Sequence, residues 1–206
     1  MLNLPSSTQI NKALPKKALY EKLQLNTSQR KSMDADISRL VLINEISTRT
    51  TNIAEGTEIK SIFVLAVTLK QKNYSLKSIR MLFKLIPQQL VLVFSFEEQE
   101  RVAVYYGDKI LQTQWKTTNN ESLKLEGLNF DEVWTHIVMQ IGKISLESGI
   151  TLDEQIQITD LQKKLEKRIV VLEKKVYAEK QPKKKLTLFN ELQTLKRKNK
   201  NKIKTI

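Results

Sequence analysis

The sequence contains no cysteine, and its 206 residues include only five glycines, four prolines and one histidine. Without cysteine, the chain has no disulfide, no thiolate metal site and no cysteine nucleophile, and its composition is compatible with a reducing compartment. A single histidine, His136, excludes sites that need two. Glycine-rich phosphate loops of the G-x-x-x-x-G-K or G-x-G-x-x-G type are also missing. We therefore expect no catalytic residue, no metal site and no cofactor.

Long apolar runs are missing as well. No segment approaches the roughly 18 apolar residues that a membrane span requires. The opening MLNLPSSTQINKALPKK lacks the basic segment and apolar stretch of a secretion signal. We expect a soluble cytoplasmic protein without membrane contact.

Positive charge is what the sequence has in excess, with a formal net charge of +13. Residues 180–206 contain ten Lys or Arg and one acid, Glu191, whereas residues 151–179 contain six charges of each sign. Most of the excess therefore lies at the C-terminal end. A basic segment of this kind favours a polyanionic partner, either nucleic acid or an acidic protein surface, although it can also act only to keep the chain in solution.

The candidate nucleic-acid contacts lie at both ends of the last predicted helix. Phosphate contacts by such a segment would be independent of base sequence and would weaken steeply with salt. Cations in the last turn of a helix also complement its dipole, which explains only part of the cluster. The candidates are Lys183, Lys184, Lys185, Lys196, Arg197, Lys198, Lys200, Lys202 and Lys204.

The middle of the chain predicts a small mixed β-sheet packed by helices. An apolar run rich in branched residues at 59–70 predicts a strand buried on both faces, and QLVLVFSFE at 89–97 predicts the next strand. Between them SLKSIRMLFKLI has helical spacing, which predicts a crossover that joins parallel strands. RVAVYYGDK at 101–109 then predicts an antiparallel hairpin, and ILQTQWKTT at 110–118 predicts a fourth strand.

Three helices are predicted around this sheet, after a polar arm that runs to about Asn11. A short helix begins near Pro15, and an amphipathic helix covers Thr27 to Ser47. The third opens at Asn129, which together with Glu132 resembles an N-terminal capping arrangement, presents one broad apolar face and ends at Gly149.

The C-terminal part predicts an antiparallel, coiled-coil-like helical hairpin. Thr151 and Glu154 form a capping box, and Pro182 separates two segments with apolar residues at intervals of three and four. A seam this thin needs a partner, which is either its hairpin mate or another subunit. The seam residues are Leu161, Leu165, Ile169, Leu172, Val176, Leu188, Leu192 and Leu195. We thus expect an α/β (α+β) protein with a mixed-sheet domain at 1–150 and a basic hairpin at 151–206.

The order of several segments is similar to that of a known family. LPKKALYEKL, TNI, SIFVLAVTLK, IRMLFKLIPQQLVLVF and TQW precede a charged two-helix tail. Together they resemble the bacterial and archaeal family called domain of unknown function 4391, over nearly the whole chain. No biochemical activity comes with that name.

The resemblance implies a genomic context. Members tend to be encoded beside DNA methyltransferases and helicase-like ATPases in restriction or phage-defence neighbourhoods, so such an enzyme is an expected partner. Acids often found in the family before the first buried strand, before the Ile-Pro dipeptide and before the tryptophan are replaced here. Those positions are Ser61, Phe83, Gln112 and Gln114, and chemistry that depends on such acids is not expected in this chain.

Individual residues offer weaker candidates. Glu58-Ile59-Lys60 has the order of a nuclease strand end, where the acid would bind a cation, but a solvated strand end is the favoured interpretation. His136 is expected on the polar side of its helix. Trp115, Tyr105 and Tyr106 fall in predicted strands, where packing is favoured over base stacking.

Three hypotheses follow. The first is a non-enzymatic accessory subunit of a DNA-linked defence or restriction complex, with the basic hairpin as the contact for phosphate or for a partner. The second is a structural oligomerisation module without a nucleic-acid role, in which the hairpin seam forms a homo-oligomer. The third is a divergent metal-dependent nuclease. The sequence leaves open whether DNA or RNA would be preferred.

Overall fold

The chain folds into two units that are described separately. A computed structural model describes residues 2–118, 122–147 and 149–204, with side chains as far as residue 197. Contacts divide the chain after Lys143. We call the part before this division the sheet unit and the part after it the hairpin unit.

The strands of the described residues form one sheet in the sheet unit. Its order is β1-β2-β3-β4-β5-β6, with β7 also paired to β5. Only β3 and β4 are parallel to each other, and every other neighbouring pair is antiparallel. The predicted mixed sheet is therefore confirmed. The strands are β1 (Gln9–Ala13), β2 (Ile37–Ser47), β3 (Ser61–Leu69), β4 (Gln89–Phe96), β5 (Gln99–Tyr106), β6 (Lys109–Gln112) and β7 (Lys116–Thr117).

Helices cover both faces of this sheet. One face packs against the elements that we call the helical layer, α1, α2 and α4, through alternate residues such as Leu65 on β3 and Leu92 on β4. The intervening residues, such as Val64 and Val91, are also fully buried and face α5, which contacts β3, β5 and β6. The helices of the sheet unit are α1 (Lys16–Lys22), α2 (Thr27–Asp36), α3 (Thr48–Thr51), α4 (Leu76–Leu82) and α5 (Phe130–Gly142).

The hairpin unit contains α6 (Leu152–Ala178) and α7 (Pro182–Lys204). The predicted capping box is present, since the Thr151 side chain accepts from the Glu154 N–H and the Glu154 carboxylate accepts from the Thr151 N–H. Pro182 occupies the first position of α7, where its missing N–H costs no helical hydrogen bond. The two helices pack together as the predicted hairpin. None of the helices in the described ranges is long and apolar enough to cross a membrane.

The prediction of one helix from Thr27 to Ser47 is wrong in its second half. The helix ends at Asp36, and Ile37 already has extended backbone angles. The following segment, β2, pairs antiparallel with β3 on one side and with β1 on the other. Branched side chains are frequent in this segment and favour a pleated sheet over a helix.

Three smaller predictions are also corrected. The polar arm contains β1, an edge strand whose side chains are all exposed. The predicted strand at 110–118 is divided into β6 and β7, and Trp115 lies between them. The helix that was expected to end at Gly149 ends at Gly142, because Lys143 adopts a left-handed conformation with φ 51°. That backbone conformation stops the helical hydrogen-bond ladder.

Candidate nucleic-acid interface

The hairpin seam closes between α6 and α7 of one chain. Ile169, Leu172 and Leu192 are its buried side chains. Leu165, Val176, Leu188 and Leu195 are half-buried and pack against these three. Leu161, also predicted for the seam, is 52% exposed. Whether this seam also serves a second subunit stays a prediction.

Two ion pairs link the helices beside the seam. Arg168 Nη2 lies 2.9 Å from Glu191 Oε1, and Lys196 Nζ lies 2.7 Å from Glu173 Oε1. All four side chains are largely exposed, so each pair is worth at most about 1 kcal/mol. Lys196, a candidate for phosphate contact, therefore already has an acidic partner within the hairpin.

The lysine triplet, residues 183–185, occupies the first turn of α7. All three residues are exposed, and none forms an ion pair with a described side chain. The N-terminus of a helix carries a partial positive charge, so a cation there costs about 0.3–1 kcal/mol where an anion would gain it. Helix stability therefore does not account for the triplet.

The remaining cations of α7 lie near its other end. Arg197 is exposed. The backbone is helical through Lys204, but the side chains of the last four candidates lie outside the described residues. Those candidates are Lys198, Lys200, Lys202 and Lys204.

Glu58 does not lie in a strand. It belongs to the loop before β3, and its backbone N–H, like those of Thr57 and Ile59, points at the Asp131 carboxylate. Asp131 accepts at 2.6 Å from Thr57 and 2.8 Å from Ile59, which fixes this loop against the start of α5. Among the described residues, no three acidic or histidine side chains come close enough together to hold a metal ion.

The aromatic candidates are engaged with neighbours in the sheet unit. The guanidinium of Arg101 lies 4.8 Å from the ring centroid of Trp115, and Lys72 Nζ lies 5.8 Å from it. Tyr105 stacks on Phe83 with centroids 5.7 Å apart. These contacts give both rings a packing role, which is the interpretation that the sequence favoured.

His136 lies on α5 with 41% of its side chain exposed, in agreement with its expected place on the polar side of the helix. Its Nδ1 is 4.0 Å from Glu126 Oε2. A pair at this distance between two exposed side chains is weak. Nothing in this arrangement resembles a base held against a nucleophile.

A family model described as domain of unknown function (DUF4391) matches residues 2–198. The chain belongs to this family. No match to the chain is found among curated proteins or among solved structures. Family membership supplies no activity, so the function of this DUF4391 protein has to be argued from its own residues.

The four positions at which this DUF4391 chain lacks the expected acids lie on different elements. Ser61 begins β3, and Phe83 follows α4 and stacks on Tyr105. Gln112 ends β6 and accepts a hydrogen bond of 3.0 Å from the Tyr74 hydroxyl. Gln114 is exposed just after β6. The contacts of Phe83 and Gln112 are structural.

One group of cations in the sheet unit was not predicted from the sequence. Lys77, Arg80 and Lys84 are exposed and line one groove of about 360 Å³. Their spacing of three and four residues in SLKSIRMLFK is the signal that could have revealed them, because it places all three on one side of a helix. We call them the groove cations.

Proposed function

We propose that this DUF4391 protein is a non-enzymatic accessory subunit of a DNA-linked prokaryotic defence or restriction system. In this proposal the hairpin unit contacts nucleic acid, and a methyltransferase or helicase-like ATPase is its protein partner. The genomic neighbourhood that the family resemblance implies supports the partner class. The concentration of positive charge in residues 180–206 supports the ligand class.

The observation that carries this proposal is the position of the lysine triplet. Three adjacent, exposed lysines stand where the helix dipole opposes them and where no described acid neutralises them. A bound phosphate would offset the repulsion between these lysines and the helix dipole, because anions are stabilised at a helix N-terminus. The triplet therefore destabilises the first turn of α7, and an anionic ligand bound there would offset this loss.

The proposed contact is electrostatic and independent of base sequence. Each lysine that neutralises a phosphate of duplex DNA releases about 0.9 of a condensed counterion. Three such contacts would contribute about 2.7 to the slope of log K against log salt. Binding should therefore be strong only at low salt.

The test compares two lysine triplets of the full-length chain. Fluorescence anisotropy with a labelled duplex would be followed across a salt series for the wild type and for Lys183→Gln/Lys184→Gln/Lys185→Gln. The matched control is Lys163→Gln/Lys164→Gln/Lys167→Gln, which removes the same charge from exposed positions on α6. We expect the first variant to lower the slope by about 2.7 and the control to leave it nearly unchanged.

Two results would contradict the proposal. One is that the wild type fails to bind duplex or single-stranded nucleic acid at low salt. The other is that both triple variants lose the same affinity, since this would indicate a response to net charge alone.

A second candidate function, a structural oligomerisation module, has one observation in its favour. Several large apolar side chains of the hairpin unit are exposed by 44% or more. They are Leu161, Val170, Val171, Tyr177, Leu186 and Phe189. Light scattering during size-exclusion chromatography tests it: a dimer that Val170→Asp/Val171→Asp converts to a monomer, with nucleic-acid binding absent, would favour this function. For the third candidate, a metal-dependent nuclease, the described residues provide no supporting observation.

A further inference from the structure

We propose that the groove beside α4 in the sheet unit is a second surface for the phosphodiester backbone of nucleic acid. This inference rests on the proposed function for its class of ligand, nucleic acid, but it uses none of the hairpin residues. Three observations support it: the lining of the groove, the anchoring of one cation and the distribution of charge over the sheet unit.

The groove has a cationic rim and a carbon-rich lining. Lys77 and Arg80 come from α4, and Lys84 lies two residues after the last residue of that helix. The remaining lining residues are Gln29 of α2 together with Leu76, which is 56% exposed, and the half-buried Met81. No acid lines this groove in the described residues. Such a lining suits a ligand with repeated negative charges and apolar sugar surfaces between them.

Arg80 is held in position before any ligand arrives. Its Nη2 donates to the Asp108 carbonyl at 3.3 Å, and its guanidinium lies 6.0 Å from the ring centroid of Tyr105. Phe83 stacks on that same ring and so fixes it. A guanidinium has five N–H donors in a fixed fork, and the bond to Asp108 uses one of them. The geometry leaves donors for a bidentate contact with a phosphate.

The positive excess of the sheet unit is confined to one face. Residues 16–36 and 76–84, which include the helical layer, hold eight Lys or Arg and three acids, whereas the rest of the first 143 residues holds eleven of each. The helical layer therefore carries the whole positive excess of this part of the chain. A surface with this bias attracts polyanions over a distance comparable to the Debye length.

Two of the three acids in that layer are already occupied. Asp36 is 4% exposed and accepts hydrogen bonds from the Gln71 side chain and the Ser75 N–H. Asp34 forms an ion pair of 3.0 Å with Lys16. Neither carboxylate lines the groove, and the excess of positive charge in this layer already takes all three acids into account.

The spacing of the groove cations favours nucleic acid over an acidic protein surface. Lys77 and Arg80 are three residues apart on α4, a rise of about 4.5 Å, and Lys84 continues the row in the turn after the helix. Phosphates of one DNA strand repeat every 3.4 Å of helix axis, so a row of cations on this scale meets a regular series of charges. Acidic side chains on a folded protein repeat at a regular interval only where a single helix or strand carries several of them.

The experiment uses the full chain with Lys77→Gln/Arg80→Gln/Lys84→Gln. The matched control, Arg39→Gln/Lys60→Gln/Lys124→Gln, removes one arginine and two lysines from exposed positions outside the helical layer. Labelled duplex and single-stranded DNA of equal length are titrated across a salt series. We expect the groove variant to lower the slope of log K against log salt by about 2–3, and the control to lower it by far less. Whichever probe shows the larger loss identifies the form of backbone that the groove binds.

The same substitutions in a protein that already lacks the lysine triplet separate the two proposals. If the groove variant loses affinity in both backgrounds, the groove acts on its own. If it behaves like the control while the triplet variant still loses affinity, this inference falls and the proposed function stands. If the groove variant loses affinity and the triplet variant does not, this inference stands and the proposed role of the lysine triplet falls.

Two further measurements test whether positive charge at these positions is sufficient and whether nucleic acid is preferred over an acidic protein. Lys77→Arg/Lys84→Arg should keep the wild-type slope, because it preserves charge at the same positions, and loss of binding in this variant would overturn the proposal. Poly-glutamate should displace DNA only at much higher charge concentration. Equal displacement by poly-glutamate would assign the groove to an acidic protein instead. Thermal melting of each variant confirms that all proteins compared are folded.

Discussion

The two units of this chain differ most in how their apolar residues are buried. In the sheet unit, β3 and β4 are buried on both faces, and Leu65, Leu92 and Phe94 are fully inaccessible. In the hairpin unit, the buried part of the seam consists of three side chains that retain 5–9% exposure. Because burial of apolar area is the main source of stability, the sheet unit should unfold at a much higher free energy than the hairpin.

The units also differ in how they hold their positive charge. In the sheet unit, an arginine of the helical layer is anchored by a carbonyl and an aromatic ring. In the hairpin unit, the lysine triplet stands free at the start of α7. A rigid cation gives geometric selectivity, whereas flexible ones give charge density, so the two surfaces should contribute differently to binding.

Phe94→Ala should have the largest effect, because the ring is fully buried and stacks on Tyr74 with centroids 5.0 Å apart. Removing a buried phenyl ring costs about 3–5 kcal/mol. Chemical denaturation should show this loss in the transition of the sheet unit. The control is Phe189→Ala in the hairpin, where the ring is 44% exposed and the loss should stay below about 1 kcal/mol. Similar losses at both sites would contradict the comparison.

Leu172→Ala should destabilise the hairpin locally. Leu172 is 6% exposed and belongs to a small cluster, so we expect a loss near the lower limit for leucine, about 2 kcal/mol. Hydrogen exchange should then accelerate in α6 and α7 while the amides of β3 and β4 keep their protection. Leu186→Ala, where the side chain is 61% exposed, should change neither. Equal acceleration in both units would show that they unfold as one.

A smaller effect is expected from the ion pairs across the hairpin. Arg168 and Glu191 are 65% and 43% exposed, and their atoms are 2.9 Å apart. A double-mutant cycle with Arg168→Gln and Glu191→Gln should give a coupling of about 0.2–1 kcal/mol that declines with added salt. A coupling energy that does not change with salt concentration would indicate a contact other than an exposed ion pair.

The parts of the fold that the sequence predicted are those with long apolar patterns. Both buried strands, the crossover helix between them and the cap of α5 were recognisable because each depends on residues close together in the chain. The strand β1 could not be found in this way, since all of its side chains are exposed. The strand β2 was mistaken for helix because Met33, Ile37 and Leu40 are buried at helical intervals. Its pairing with β3 joins residues far apart in the chain, from Ser47 with Ser61 to Ile37 with Leu69.

The candidate interface was also predictable from the sequence only in part. The lysine triplet is visible as a run of charge, and the seam as a repeat of leucines. The exposure of Leu161 was not predictable, because it depends on what the facing helix covers. The groove was missed because Gln29 of α2 meets the groove cations only after the sheet has folded. Sequence patterns reveal surfaces built from one segment better than surfaces assembled from several.

The finest test of the comparison is the pH dependence of two tyrosines. Tyr20 in the sheet unit donates a hydrogen bond to Asp34, whereas Tyr177 in the hairpin is 90% exposed. The bond from Tyr20, and then the bond from Lys16, hold the pKa of Asp34 below its usual value. Burial first, and then the bond to Asp34, raise the pKa of Tyr20.

These directions fix the sign of each effect. Asp34 stabilises the fold above its unfolded pKa of about 3.9, and this contribution is lost as the pH falls through the lower folded value. The unfolded chain ionises Tyr20 above about pH 10 while the folded chain resists, so stability also declines as the pH rises from there. Tyr20→Phe should flatten both limbs of stability against pH and raise the pKa of Asp34 in an NMR titration. Tyr177→Phe should change neither, and an unaltered Asp34 titration in Tyr20→Phe would show that Lys16 alone holds that carboxylate.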